Sequence, residues 1–253
     1  MTHTEERQHE LRRARAVGRA DVARLTDDLK VTSEMIRCDL AVLERAHAIR
    51  GVRGGAVPID RIGFESALAA RDAALTAEKE RIAKTAIAEL PDGGSVIIDA
   101  GTTTSRLVDL FPTEPEFTVV VNSPPLATAL AMRPNLTVII LGGRVRHRTL
   151  ATVDDLGLNA LRNLYVDLAF MATNGLSIQR GLTTPDPAQA EVKGAMIRAA
   201  RRTVLLADHT KIGIAHFARF GSLGDVDLLI TDSGLDDVVT GELELAGLQT
   251  VRV

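Results

Sequence analysis

Four hydroxyl-bearing residues stand behind a glycine in Asp99-Ala100-Gly101-Thr102-Thr103-Thr104-Ser105, directly after the apolar run Ser95-Val96-Ile97-Ile98. Gly101 lets the backbone bend tightly. The residues after it offer amide N–H groups and hydroxyls where the amphipathic stretch 106–111 opens, an arrangement suited to an oxyanion, above all a phosphate. Five further apolar runs end in similar small polar turns: Asn122-Ser123, Gly142-Gly143, Thr173-Asn174-Gly175, Asp208-His209-Thr210-Lys211 and Thr231-Asp232-Ser233. In open α/β sheets ligands bind at the carboxyl ends of strands, so these turns are expected to converge on one crevice for a small, anionic, hydroxyl-rich molecule.

Within that crevice Asp208 and Lys211, three residues apart, can meet across one turn, the carboxylate taking ligand hydroxyls and the ammonium facing phosphate. Glu191 and Lys193 fall near the start of a helix after Thr183-Thr184-Pro185-Asp186-Pro187, and Glu191 is expected to point inward. The candidate effector contacts are therefore Asp99, Gly101, Thr102, Thr103, Thr104, Asn122, Ser123, Gly142, Gly143, Asn174, Glu191, Asp208 and Lys211. His147 and His209 have no partner at metal-ligand spacing and read as ordinary loop residues, so neither a metal nor a cofactor is expected. The chain lacks G-x-G-x-x-G, G-x-x-x-x-G-K-[ST] and G-x-S-x-G, the fingerprints of dinucleotide binding, NTP hydrolysis and an α/β-hydrolase elbow. Sugar-phosphate isomerisation stays open as the alternative, because it needs only a carboxylate base and a cation beside a phosphate site, which Asp99, Asp208 and Lys211 can supply.

The elements that position these residues follow from periodicity. Apolar runs at 95–99, 118–121, 137–141, 167–172, 203–207 and 227–231, with helical stretches between most of them, predict a mainly parallel sheet flanked by helices. A long Ala-rich helix is expected over residues 65–90, with Glu78, Lys79, Ile82, Ala83 and Ala86 on mixed faces. In front, residues 5–17 are helix-prone, Asp21 can cap a helix carrying Val22, Leu25 and Leu29, and a second opens at Thr32 or Ser33 with Ile36, Leu40 and Leu43. Ala48-Ile49-Arg50 and Val52-Arg53 read as two short strands before Gly54-Gly55-Ala56, completing a winged helix-turn-helix. The second helix is then expected to enter the major groove, with Thr32, Ser33, Glu34 and Arg37 at bases and phosphates and Arg50 and Arg53 in the wing along the backbone. The expected organisation is a DNA-binding domain at 1–56, a linker and start of a connecting helix at 57–77, and an effector domain at 78–253.

Composition sets the bounds. With 253 residues and 45% apolar content the chain can bury a sizeable core. A formal charge of −3 makes any nucleic-acid contact local, since residues 1–56 carry +2 and the remainder −5. The single cysteine, Cys38, precludes an internal disulfide and suits a reducing compartment. No apolar stretch approaches the roughly 18 residues of a membrane span, and the polar start Met1-Thr2-His3-Thr4-Glu5-Glu6 does not read as a secretory leader, so a cytoplasmic protein without membrane contact is expected. Aromatics at 3%, with no Trp, leave few platforms for stacking single-stranded nucleic acid.

Taken together these residues resemble the DeoR family of bacterial transcriptional regulators over nearly the whole chain. In front the likeness rests on Arg7, on Val31-Thr32-Ser33-Glu34-Met35-Ile36-Arg37-Cys38-Asp39-Leu40 against a pattern V-S-x-x-T-I-R-R-D-L, and on Arg53-Gly54-Gly55-Ala56 against H-G-G-A. Behind, it rests on Glu78-Lys79, Asp99-Ala100-Gly101-Thr102-Thr103-Thr104, Asn122-Ser123, Leu141-Gly142-Gly143, Asn174-Gly175-Leu176 and Ala207-Asp208-His209-Thr210-Lys211. The resemblance implies a homo-oligomeric repressor of a carbohydrate-metabolism operon. Its rear domain is expected to be similar in fold to ribose-5-phosphate isomerase, to bind a phosphorylated sugar and to alter affinity for double-stranded operator DNA. By position, the family's effector contacts fall on Gly101, Thr102, Thr103, Asn122, Gly142, Asn174, Asp208 and Lys211. Met35, Cys38, His47 and Gly51 depart from the pattern in the DNA-binding module, and 152–157 lacks a Gly-Pro pair common in the family.

Overall fold

The computed structural model describes residues 20–29, 31–45, 49–52, 55–58, 65 and 68–253. The chain divides into two compact units between Phe64 and Glu65.

In the smaller unit β1 (Ala20–Asp21) leads into α1 (Val22–Leu29) and α2 (Ser33–Arg45), followed by β2 (Ile49–Val52) and β3 (Gly55–Pro58). Val22 and Leu25 on α1 and Ile36 and Leu40 on α2 are buried, as their spacing requires of two small helices packed face to face. Thr32 caps α2, its hydroxyl accepting from the Met35 N–H at 3.3 Å. The strands form an antiparallel sheet in the order β1-β3-β2, so two helices and a hairpin make a winged helix-turn-helix. The hairpin sits further along the chain than the sequence suggests. Ile49 pairs with Pro58 and Arg50 with Val57, which puts two residues read as linker into the wing. The helix expected at 5–17 lies outside the described residues.

The larger unit begins with α3 (Leu68–Ala73) and α4 (Thr76–Ala86). The single helix expected over 65–90 is thus broken: Leu75 is left-handed at φ 53°, and the chain turns there. The buried Lys79 ammonium folds back to the main-chain oxygens of Arg71 and Ala74 and satisfies the carbonyl end of α3, which an unbroken helix would not expose to it. Residues 65 and 68–77, expected in the linker and start of the connecting helix, group with this unit.

The rest follows as β4 (Gly94–Ile98), α5 (Leu107–Leu110), β5 (Phe117–Val121), α6 (Pro124–Leu130), β6 (Leu136–Ile140), β7 (Arg144–Arg146), β8 (Ala151–Val153), α7 (Asp155–Leu161), β9 (Leu168–Ala172), β10 (Gly175–Ser177), β11 (Gly181–Thr184), α8 (Pro187–Arg198), β12 (Thr203–Leu206), β13 (Ala218–Gly221), β14 (Leu228–Thr231), α9 (Asp237–Leu245) and β15 (Thr250–Arg252). Seven strands build one parallel sheet in the order β15-β14-β12-β9-β4-β5-β6. Alternate residues serve its two faces. Ile97, Val120, Ala169, Met171, Leu205 and Leu229 pack with Leu161, Val192, Met196 and Leu243 of α7, α8 and α9. Val96, Ile98, Val119, Val121, Phe170, Leu206 and Ile230 pack with Ile82, Leu107, Leu126 and Leu130 of α4, α5 and α6. Burial on both faces is why these strands read as unbroken apolar runs. The hairpin β7-β8 and the small sheet β10-β11-β13 lie apart from the main sheet.

From β4 the chain steps outward through β5 to β6, then returns to place β9 on the other side of β4 and steps away through β12 to β15. Strand order therefore reverses between β4 and β9, which makes their carboxyl ends the topological switch point, where open α/β sheets hold ligands.

Candidate functional site

Two of the strand-end turns meet at this switch point. After β4 the chain passes from Asp99 through Gly101 to a 3-10 turn at Thr104–Arg106 and the single turn of α5. A Cβ at position 101 would lie 2.7 Å from that of Ala172 at the end of β9, so only glycine lets the two strand ends approach this closely. The Thr104 hydroxyl donates to the Asp99 main-chain oxygen at 2.6 Å, and that of Ser105 to Thr102 at 3.0 Å. The Ser105 and Arg106 N–H groups close the turn onto Gly101 and Thr103. These groups shape the loop; Gly101 and Thr102, both half-buried, form its surface. The helix behind it is four residues long, ending at Leu110 because Phe111 before Pro112 is extended, so it is too short to supply the helix dipole inferred from the sequence.

Asp99 has a different place from the one expected of a ligand contact. It is fully buried, accepting from Asn122 Nδ2 at 3.0 Å and the Ala172 N–H at 3.1 Å, and it is ion-paired with Lys193 of α8. Asn122, equally buried, accepts from the Ala100 N–H at 2.6 Å, while Lys193 also donates to the Ala172 carbonyl at 2.9 Å. One network thus ties β4, β5, β9 and α8 together beneath the loop. Buried charge is tolerated because each ion has its counter-ion and further hydrogen bonds.

Lys193 is the residue that sequence reasoning passed over in favour of Glu191. Asp186 caps α8 by accepting from the Gln189 N–H at 2.9 Å, with Pro187 in the first turn, and the helix then turns Gln189, Val192, Lys193 and Met196 inward. Glu191 falls on the opposite side, exposed, in a groove of about 680 Å³ that it shares with Leu161, Arg198 and Phe220, and it does not point into the crevice. A lysine between Val192 and Met196, four residues after Gln189, was the available signal.

At the end of β12, Asp208 is buried and accepts from the Thr210 N–H at 3.1 Å, and its other oxygen lies 3.6 Å from the Lys211 ammonium. Lys211 is partly exposed and donates to the Thr210 hydroxyl at 2.9 Å. His209, read as an ordinary loop residue, is engaged: its Nδ1 lies 2.7 Å from Asp232 Oδ2 at the end of β14, and its N–H donates to Asp232 Oδ1 at 2.8 Å. The hydrogen bond to Asp232 holds the imidazole above its usual range, against the opposing effect of burial. Burial presses Lys79 below the usual ammonium range, with Asp208 counteracting and Lys211 reinforcing.

Asn174, after β9, accepts from the Thr184 hydroxyl at 3.0 Å, and its main-chain oxygen faces His216 Nε2 at 3.3 Å. Ser123 is buried at the start of α6. Gly142 and Gly143 follow the edge strand β6. Gly143 has φ +128°, and a Cβ there would come within 2.0 Å of the Val153 oxygen, which makes it the glycine on which the β7-β8 hairpin depends. In the smaller unit Thr32, Ser33, Glu34 and Arg37 line the first turns of α2 with exposed side chains, Arg50 belongs to β2, and Arg53 lies outside the described residues. Among the described residues no His, Cys, Asp and Glu group is arranged to hold a metal ion, and no helix is long and apolar enough to cross a membrane.

Residues 75–233 match the family model described as the DeoR C terminal sensor domain. The chain is 37% identical over 230 residues to the HTH-type transcriptional regulator GlpR of Haloferax volcanii, covering 91% of this chain and 90% of that protein. It is 32% identical over 205 residues to the HTH-type transcriptional repressor GlcR of Bacillus subtilis, covering 81% and 78%. Among solved structures it is similar to ribose 5-phosphate isomerase A from Neisseria gonorrhoeae, with 15% identity, a TM-score of 0.39 and coverage of 54% of this chain and 53% of that one. A sensor-domain match over most of the larger unit, joined to near full-length likeness to helix-turn-helix regulators, settles the assignment: the chain belongs to the DeoR family of transcriptional regulators.

Proposed function

We propose that this regulator is a repressor of a carbohydrate-metabolism operon, binding double-stranded operator DNA through its winged helix and answering to a phosphorylated sugar held at the carboxyl ends of β4, β9 and β12. The carrying observation is chemical: a half-buried, hydroxyl-lined loop at the switch point, with the partly exposed Lys211 as a cation of the rim. In this reading Gly101, Thr102, Thr103, Asn174 and Lys211 touch the effector. Asp99, Asn122, Thr104 and Lys193 hold the loop that presents those groups. Thr32, Ser33, Glu34 and Arg37, with Arg50 and Arg53 in the wing, meet DNA. The protein works as a homo-oligomer, since paired reading heads match paired half-sites. A coupling of about 1–3 kcal/mol between the two sites gives 5- to 150-fold control.

An isomerase reading needs a carboxylate free to take a proton from substrate. Asp99 is sealed against Lys193 and Asp208 is occupied by Thr210 and Lys211, which favours the regulator. The test is a gel-shift titration on DNA upstream of the gene, with and without a panel of phosphorylated sugars. Retardation that a sugar phosphate alters is the expected result; no retardation at any concentration overturns it. Turnover of ribose 5-phosphate that disappears in Lys211→Ala would favour the isomerase.

A further inference from the structure

Glu65 opens the larger unit, at the division between the two units, and is 3% exposed. A carboxylate so placed must be paired, and its partners are unusually cationic. Its Oε2 accepts from Arg146 Nη1 at 2.7 Å, its Oε1 lies 3.7 Å from Arg71 Nη1 and accepts from Asn174 Nδ2 at 3.3 Å, and its main-chain oxygen accepts from Arg148 Nη1 at 2.7 Å. Arg146 also reaches Asp186 at 3.2 Å and Gln189 at 3.0 Å. Three guanidiniums face two carboxylates, leaving one positive charge in excess.

Donors are in excess too. Arg71 Nε and Arg106 Nε are two of four buried side-chain polar atoms without a partner among the described residues. Arg106 ends the Thr104–Arg106 turn and bonds Asp72 at 2.7 Å, next to Arg71, so the arginine cluster continues into the switch-point loop. Burial holds the Arg71 guanidinium below its usual range, opposed by Glu65 and reinforced by Arg146.

We propose that Arg71, Arg146 and Asn174 form an anion-binding site that the chain fills with its own Glu65, and that a phosphate or carboxylate group of a hydroxylated metabolite takes Glu65's place. The proposal rests on the reading of the switch point as the effector crevice and deepens it, because Asn174 serves both. A phosphate offers three oxygens to a cluster whose donors outnumber those one carboxylate can use, and paired guanidiniums match its geometry. Displacing Glu65 releases the first residue of the larger unit, and with it the chain that leads to the DNA-binding unit. Ligand occupancy thereby becomes a change in how that chain is tethered.

The experiment titrates inorganic phosphate by calorimetry into the full chain, wild type, Glu65→Gln, Glu65→Asp, Glu65→Gln/Arg146→Gln and Lys211→Ala. Removing the competing charge-assisted bonds should tighten phosphate binding by about 10-fold in Glu65→Gln, with an intermediate gain in the charge-retaining Glu65→Asp. The gain should vanish in the double variant. Equal affinity in wild type and Glu65→Gln overturns the proposal, as does a gain that survives loss of Arg146. If Glu65→Gln does not fold, Glu65→Asp decides: no gain there overturns it as well. A loss of binding in Lys211→Ala alone, with Glu65 variants unchanged, removes this inference and leaves the proposed function standing. If no variant binds phosphate and no sugar phosphate alters DNA retardation, both are overturned.

Discussion

Lys193→Met removes one charge from the sealed pair beneath the switch-point loop while keeping the apolar stem that packs in α8. Asp99 is then a fully buried carboxylate left with two neutral donors, Asn122 Nδ2 and the Ala172 N–H, and the Ala172 carbonyl loses its bond from the ammonium. Breaking a buried pair from one side costs about 3–5 kcal/mol, because the remaining charge has no counter-ion and no water. At roughly 2–4 °C per kcal/mol for a unit of this size, thermal unfolding should move down by about 6–20 °C. Asp99→Asn/Lys193→Met removes both charges and should regain most of that loss, to within about 2 kcal/mol of wild type, as expected for a coupled pair. Calorimetric or circular-dichroism melts of wild type, Lys193→Met, Asp99→Asn and the double variant read the difference directly. A Lys193→Met protein melting within about 2 °C of wild type, or a double variant as unstable as the two single changes added together, would refute the idea that charge pairing holds this corner.

Further expectations concern separate parts of the molecule. Gly143→Ala places a Cβ against the Val153 oxygen at a backbone angle that side chains avoid, and should cost roughly 2 kcal/mol or more in chemical unfolding. Arg37→Ala should weaken operator retardation about 10-fold while leaving sugar-phosphate affinity intact, and Lys211→Ala should do the opposite; equal loss of both activities in either variant would point to misfolding. His209 titrates higher in the folded chain than free histidine because of its bond to Asp232. Its contribution to stability is therefore complete below the ordinary histidine range near 6.5 and is lost as pH rises through the raised folded value. The melting temperature should fall as pH rises through that interval, and His209→Gln should flatten the slope; an identical slope in the variant would sink the assignment.

The central strands were legible because each is buried on two faces, so its residues are apolar whichever way they point. β10, β11, β13 and β15 are short, carry polar or glycine residues such as Gly175, Thr183 and Arg252, and are ordered by tertiary pairing that no local period announces. The turns were legible as strand ends, yet the division of labour inside them was not. Whether Asp99 faces ligand or Lys193 depends on which side α8 turns inward, and its small residues Ala190, Gly194 and Ala195 leave that facing open to more than one reading. Glu65 carries no local mark at all, being one acidic residue after a linker-like stretch. Its importance comes from arginines that arrive from α3 and from the β7-β8 hairpin.

The Ser95 N–H and hydroxyl bind Asp167 across 72 residues of chain, at the opposite end of the two strands whose carboxyl ends frame the switch point. During synthesis, then, β4, β5 and β6 can assemble early, but the proposed pocket is incomplete until β9 and then β12 have emerged and docked. A metabolite able to use that pocket recognises only finished molecules, so its presence should slow proteolysis of the mature sensor while giving no protection to truncated nascent chains.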